Sequence, residues 1–333
     1  MKKKTFFKKA LSMLTAAAMS FSLVTGTPFI IENDPIMAIT AEAEAVKIDG
    51  VYQIASKDDL CWFADYVNEG NQSANAVLTA DIDMSGVSWT TICETGLYYN
   101  SYGTDYGYSG TFDGGGHVIS NLSVKSSTTR DASVGLFGTV SGTIKNLGMK
   151  NFTFVDGGKD VRAGAIAGQL ITSGGKISNC YVDGAAIKTG DHVGGGIAGC
   201  AYEATIENCY AINTTVTGYS DRFGCVAGDL RADGSTTDRP GYVKNCFTDG
   251  SALVSSQKVD ANLTGNKTGV TADTFASGEI TYLLNGSSSE NVVWYQTLGT
   301  DTYPVLDSAS GTVYAGYDKC KAVYANSADG LTE

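Results

Sequence analysis

The sequence predicts an all-β protein: a parallel β-helix or β-solenoid with an N-terminal amphipathic capping helix and a small C-terminal cap. Three observations predict it. Glycine and tyrosine are abundant, 41 and 18 of 333 residues, while charged residues make up only 17% and prolines number 4. Such a composition suits pleated strands and tight turns better than helices. Apolar residues alternate in short runs bounded by Gly, Asn, Asp, Ser and Thr, which is the strand period with turn punctuation. The centre of the chain also repeats itself about every 30 residues, a period that marks stacked architectures.

Two linked signatures define the repeat. Gly135-Leu136-Phe137-Gly138 returns as Gly164-Ala165-Ile166-Ala167-Gly168, as Gly195-Gly196-Ile197-Ala198-Gly199 and as Gly224-Cys225-Val226-Ala227-Gly228, with starts 29, 31 and 29 residues apart. Ile144-Lys145-Asn146-Leu147 returns as Ile177-Ser178-Asn179-Cys180, Ile206-Glu207-Asn208-Cys209 and Val243-Lys244-Asn245-Cys246. An earlier half-copy, Ile119-Ser120-Asn121-Leu122, follows Gly114-Gly115-Gly116. A single unit of this length cannot bury its apolar face, whereas units stacked at ~4.8 Å can. Ile144, Ile177, Ile206 and Val243 are therefore expected to form one inward column. Gly135, Gly138, Gly164, Gly168, Gly195, Gly199, Gly224 and Gly228 are expected to make tight bends with positive φ. Asn146, Asn179, Asn208 and Asn245 are expected to take left-handed bends and to stack into a hydrogen-bonded ladder.

Cys180, Cys209 and Cys246 share one repeat position, where other copies carry Leu122 and Leu147. They read as small buried apolar residues in a core stack, or else as disulfide or metal-binding cysteines. Three cysteines without clustered histidines make a poor zinc site.

The flanks complete the organisation. Residues 1–45 have the order of a secretory signal peptide: Lys2, Lys3, Lys4, Lys8 and Lys9, an apolar run from Ala10 to Val24, then small-residue cleavage patterns at Ala41-Glu42-Ala43 and Ala43-Glu44-Ala45. With no second long apolar run, no transmembrane segment is expected after cleavage, and the chain is expected to be secreted, extracellular or loosely cell-wall associated. Residues 46–109 form an N-terminal cap and first strands, 110–255 the solenoid repeats, and 256–333 a C-terminal cap and tail. In the first of these, Ser56 is an N-cap for a helix over 57–68, with Asp58 and Asp59 in its first turn and Leu60, Phe63, Ala64 and Val67 in one stripe. In the last, Asp273–Leu284 reads as a helix closed by Asn285-Gly286, and Val292-Val293-Trp294 and Tyr303–Leu306 read as closing strands.

A formal charge of −12 excludes nucleic acid and anionic membranes as natural partners, since both need a basic face. A zinc peptidase is excluded as well, because only His117 and His192 exist and no His-Glu-x-x-His run appears. Both histidines read as solvated turn residues.

The Gly-apolar-apolar-Gly cores resemble the GLUG motif, and the resemblance covers roughly residues 50–308. Besides the repeats it is carried by Tyr52-Gln53-Ile54, the capping helix, Asp81-Ile82-Asp83-Met84, Gly110-Thr111-Phe112-Asp113-Gly114, and the tail elements Tyr282–Gly286, Trp294-Tyr295-Gln296 and Tyr303–Leu306. Ala165, Gly196 and Cys225 depart from Leu136 of the first copy. The resemblance implies a bacterial exported or surface β-helix. GLUG repeats also lie beside the protease domain of some immunoglobulin-A-cleaving zinc peptidases.

The expected function is non-catalytic adhesion or recognition at the cell exterior, with glycans or host proteins as partners. Tyr98, Tyr99, Tyr102, Tyr106 and Tyr108, within the Gly- and Ser-rich run 97–112, are the candidate binding residues, since tyrosine offers a flat apolar face and a hydroxyl. The alternative is that this loop folds over the solenoid edge. A polysaccharide lyase or hydrolase is the enzymatic rival, with Asp81, Asp83, Asp113, Asp156 and Asp160 as its acids; a purely structural spacer is the third reading. No cofactor or metal is assigned. Asp229, Asp233 and Asp238 could offer oxygens to calcium, but their spacing matches no calcium loop.

Overall fold

The computed structural model describes residues 45–94, 107–125, 132–155, 161–172, 174–190, 193–218, 222–230, 241–254, 263–318, 321–329 and 331. Residues 1–44 of the signal segment, Tyr98, Tyr99, Tyr102, Tyr106, Asp156, Asp160, His192, Asp233 and Asp238 lie outside them.

The chain coils through five parallel sheets in sequence order. One coil runs through Thr143–Lys145, Gly148–Lys150, Thr153–Val155, Val161–Gly164 and Ala167–Ile171. The next takes Lys176–Ser178, Tyr181–Asp183, Ala186–Lys188, Val193–Gly195 and Ala198–Tyr202. Corresponding strands pair in register from coil to coil. The first sheet is the longest. It begins at Lys47–Ile48, antiparallel to Val51–Ile54, and ends at Leu263–Thr264.

The expected column is present. Phe112 pairs with Ile144, Ile144 with Ile177, Ile177 with Ile206 and Ile206 with Val243. All five are fully buried. Neighbouring coils thus supply each other's apolar wall, and each such side chain contributes about 1.5–3 kcal/mol relative to exposure.

The first end is closed as the helical stripe predicts. Helix α1 spans Lys57–Asn68 and buries Leu60, Phe63, Ala64 and Val67. Ser56 Oγ accepts from the Asp59 amide at 3.2 Å, while Asp59 Oδ2 accepts from the Ala55 amide at 3.0 Å. This reciprocal arrangement satisfies donors at the helix start. Phe63 meets the rings of Tyr108 and Phe112, which fixes α1 on the first coil.

The C-terminal part differs from the expected closing strands. Helix α2 spans Ala272–Ala276 and α3 spans Glu279–Leu284, separated by Ser277 and by Gly278 at φ 90°. The segments around Trp294 and Tyr303–Leu306 meet only in one antiparallel bridge, Tyr295 with Val305. The whole segment lies against the outer face of the second sheet. There Tyr181, Tyr210 and Phe247 point outward and pack with Phe275, Ile280, Leu284 and Trp294. The rings of Tyr181 and Tyr210 stack at 5.1 Å and 7°, and Tyr210 donates to the Pro304 carbonyl at 2.7 Å. A terminal hairpin, Tyr314–Asp318 with Lys321–Ala325, follows.

Three expectations need correction. First, the signature glycines are not at positive φ. They are glycines because backbones approach too closely for a side chain. A Cβ on Gly195 would stand 1.9 Å from the Ala198 carbonyl oxygen, and on Gly164 2.3 Å from that of Ala167. The fourth and fifth sheets press together through these positions. Second, Ile119-Ser120-Asn121-Leu122 is not a copy of the Asn146 corner. Ile119 pairs with Met149 in the second sheet, so Asn121 matches Asn151, and Leu122 stacks in the Phe152 column rather than that of Leu147. Both corners need a left-handed residue followed by an inward apolar one, so their local sequences look alike. Third, Tyr108 is fully buried. Its hydroxyl donates to the Ala74 carbonyl at 2.8 Å and its ring meets Phe137, so it presents no ring to a ligand.

Candidate recognition surface

The asparagine corner forms as expected and defines one edge of the solenoid. Asn146, Asn179, Asn208 and Asn245 lie at φ 51–53°. Their side chains form a continuous ladder. Asn245 Nδ2 donates to Asn208 at 2.9 Å, Asn208 to Asn179 at 3.4 Å, Asn179 to Asn146 at 3.3 Å, and Asn146 to Asp113 Oδ1 at 3.0 Å. Asn245 Nδ2 also donates to the Leu283 carbonyl at 2.7 Å, tying the ladder to α3. A second ladder runs along the next corner. Asn151 donates to Asn121 at 3.1 Å and Asn121 to Asp83 at 2.9 Å.

Beside the first ladder lies the outer face of the first sheet. Each strand there projects two side chains outward: Thr111 and Asp113, Thr143 and Lys145, Lys176 and Ser178, Thr205 and Glu207, Tyr242 and Lys244. Charges of both signs alternate along this face. Lys145 pairs with Asp113 at 3.1 Å and Lys176 with Glu207 at 2.7 Å. Both pairs are half-exposed, so they contribute at most about 1 kcal/mol. The Tyr242 ring, 40% exposed, lies under the Lys244 ammonium at 5.1 Å. This is a polar, multi-coil surface on which, among the described residues, the Tyr242 ring is exposed.

The candidate acids hold turns. Asp83 accepts from the Ser85 amide at 3.0 Å, Ser85 Oγ at 2.6 Å and Asn121. The Asn121 and Ser85 hydrogen bonds hold its carboxyl down at about 2. Asp81 accepts from the Val118 amide at 3.0 Å and lies 3.2 Å from His117 Nδ1. Asp113 is engaged by Asn146, Lys145 and the Gly115 amide. Sequence reasoning did not identify the Asp81–His117 pair, because the two residues are 36 positions apart and meet only through the coil. Asp229, considered for calcium, is buried and lies 3.7 Å from Arg222 Nε. Among the described residues no cluster of His, Cys, Asp or Glu is arranged to hold a metal ion.

The shared cysteine position is a core stack. Cys180, Cys209 and Cys246 are fully buried free thiols in the column begun by Leu147. Each sulfur lies against the carbonyl two residues earlier, at 3.2, 3.1 and 3.3 Å. The Cys180 amide donates to Cys209 Sγ at 3.4 Å. Burial pushes the Cys180 and Cys246 thiols well above the usual range.

The aromatic column Tyr181-Tyr210-Phe247 was also missed. A signal for it existed: each shared cysteine is followed directly by an aromatic, as Cys180-Tyr181, Cys209-Tyr210 and Cys246-Phe247. Successive residues of a strand point to opposite faces, so an aromatic directly after an inward cysteine faces outward and calls for a covering layer.

The arrangement defines an all-β parallel solenoid. No family model matches the chain. It is 34% identical over 171 residues to Halomucin from Haloquadratum walsbyi, a match that covers 49% of this chain and only 2% of that protein. Among solved structures it is similar to the crystal structure of a "putative immunoglobulin A1 protease" from Bacteroides ovatus, with TM-score 0.47 and 19% identity over 77% of this chain and 92% of that one. Among the described residues no helix is long and apolar enough to cross a membrane.

Proposed function

We propose that this chain is an exported, non-catalytic recognition module of GLUG type that binds glycans or proteins at the cell exterior. The observation that supports this most is the outer face of the first sheet, where polar side chains repeat from coil to coil beside the exposed Tyr242 ring. A repeating surface makes many weak contacts, and weak contacts add when several engage together. The tyrosine-rich run supports the same reading. Two of the described residues that flank it are buried: Cys93, whose amide donates to Asn68 Oδ1 at 2.7 Å, and Tyr108. The similarity to part of a protein named Halomucin, together with the signal-like residues 1–45, supports an extracellular location.

The test is binding of the purified chain to a glycan array and to whole cells, compared with a Tyr98→Ala, Tyr99→Ala, Tyr106→Ala triple variant. Weaker binding at an unchanged melting temperature is expected. Equal binding by the variant removes the tyrosine run from the reading, and release of new reducing ends or unsaturated sugars from a polysaccharide overturns the non-catalytic assignment.

A further inference from the structure

The cysteine column carries an inference that does not depend on what the chain binds. Cys180, Cys209 and Cys246 precede Tyr181, Tyr210 and Phe247, which pair in register. The three thiols therefore follow one another at the ~4.8 Å strand spacing. That spacing lies inside the roughly 4.4–6.8 Å Cα separation that a disulfide requires. Cys180 and Cys246 are two coils apart, so neither can reach the other, whereas each adjoins Cys209. The contact of the Cys180 amide with Cys209 Sγ shows how close the first two lie.

We propose that the column is a site of disulfide formation centred on Cys209, which takes either Cys180 or Cys246 as its partner and always leaves the third thiol reduced. The bond would clip two successive coils together in the middle of the solenoid. All three side chains are fully buried in the folded chain. The oxidant therefore meets them before the coils close.

The chemistry balances with a small-molecule disulfide as oxidant. The Cys209 thiolate attacks one sulfur of that molecule, forming a mixed disulfide and releasing one small thiolate. The thiolate of Cys180 or Cys246 then attacks the Cys209 sulfur and expels the second small thiolate. Two protein thiols lose two protons and two electrons, and one small disulfide becomes two small thiols. The central residue is the common partner because both neighbours adjoin it once the coils stack in register. After bond formation the remaining thiol still adjoins Cys209, so it can attack that sulfur and exchange partners by the same mechanism.

The test is refolding of the full chain in oxidised and reduced glutathione, alkylation of free thiols under denaturing conditions, and peptide mapping by mass spectrometry. Cleavage after Tyr202 separates Cys200 from Cys209. The expected result is a loss of two hydrogens located in Cys180–Cys209 or Cys209–Cys246 peptides, with the third cysteine alkylated. Cys180→Ser and Cys246→Ser should each retain one bond through Cys209. Cys209→Ser should retain none in the column, with far-ultraviolet circular dichroism reporting whether it folds. If it does not fold, a Cys180→Ser, Cys246→Ser double variant makes the same prediction. Full alkylation of all three in the wild type, or bonds that join them only to cysteines outside the column, overturns the proposal.

Discussion

The glycine corner and the asparagine corner of each coil carry equally regular signatures, yet they are regular for opposite reasons. At the glycine corner the backbone conformation is open to any residue, and what forbids a side chain is the neighbouring strand: the space a Cβ would occupy on Gly164, Gly195 or Gly224 already holds a carbonyl oxygen at 1.9–2.3 Å. At the asparagine corner there is room for a side chain. What is demanding is the left-handed backbone, which costs most residues about 1–2 kcal/mol, and asparagine offsets this cost with an amide that both donates and accepts along the ladder. One repeat is written by steric exclusion between strands, the other by local conformation plus a hydrogen bond. A repeated small or polar residue therefore announces a constraint without saying which kind.

Substitutions can break this contrast, and the glycine corner should fail hardest. Gly195→Ala places a methyl against backbone that cannot rotate away, and the fourth and fifth sheets must separate. Overpacking costs about 1–3 kcal/mol and occasionally more, and here the clash is with backbone, so chemical denaturation should show a loss at or above the top of that range or no folded protein. A loss below about 1 kcal/mol would mean that the sheets yield easily and that close approach is not what selects glycine.

The asparagine corner should respond in two steps. Asn208→Ala loses both the conformational preference and two ladder hydrogen bonds, and should cost about 2–3 kcal/mol. Asn208→Gly keeps the left-handed bend and loses only the hydrogen bonds, so it should cost about 1 kcal/mol. Equal losses in the two variants would show that the ladder alone matters. The same pair of substitutions at Gly195 offers no such separation, since that position already lacks a side chain.

How much of this was legible in the sequence follows from the same contrast. The inward column of Ile144, Ile177, Ile206 and Val243 was legible, because burial imposes an apolar residue at a fixed offset in every coil. The left-handed asparagines were legible because few residues accept that conformation. The reason for the glycines was not, since the Ala167, Ala198 and Ala227 carbonyls reach the Cβ positions only through the tight turn that joins the fourth and fifth sheets. Asn121 was misplaced because two different corners ask for the same local pattern. Tyr108 was misread because a Gly- and Ser-rich neighbourhood says nothing of the groove between α1 and the first coil that receives its ring. On the candidate surface, the outward columns of the first sheet follow from strand alternation once the register is known. The C-terminal segment that covers the second sheet does not, because its contacts are set by tertiary packing around Trp294.

The smallest effect distinguishes the two ladders by pH. The Asn146 ladder ends on Asp113, which also has a lysine partner, whereas the Asn121 ladder ends on Asp83, whose carboxyl is held at about 2 by Asn121 and Ser85. A carboxyl lowered in the folded chain binds its proton more readily when unfolded, so stability rises with pH across the interval between the two values. The contribution is complete above the unfolded value of about 4 and is lost as pH falls through about 2. Denaturation midpoints measured between these limits should therefore decline toward acid, and Asp83→Asn should flatten the decline by one group's worth while leaving the midpoint at neutral pH only slightly lower. The side chain is exposed, so the change is modest and should shrink with added salt. If wild type and Asp83→Asn decline with the same slope, Asp83 is a bystander on its ladder, and the second corner is held by Asn121 and Asn151 without help from its terminal carboxylate.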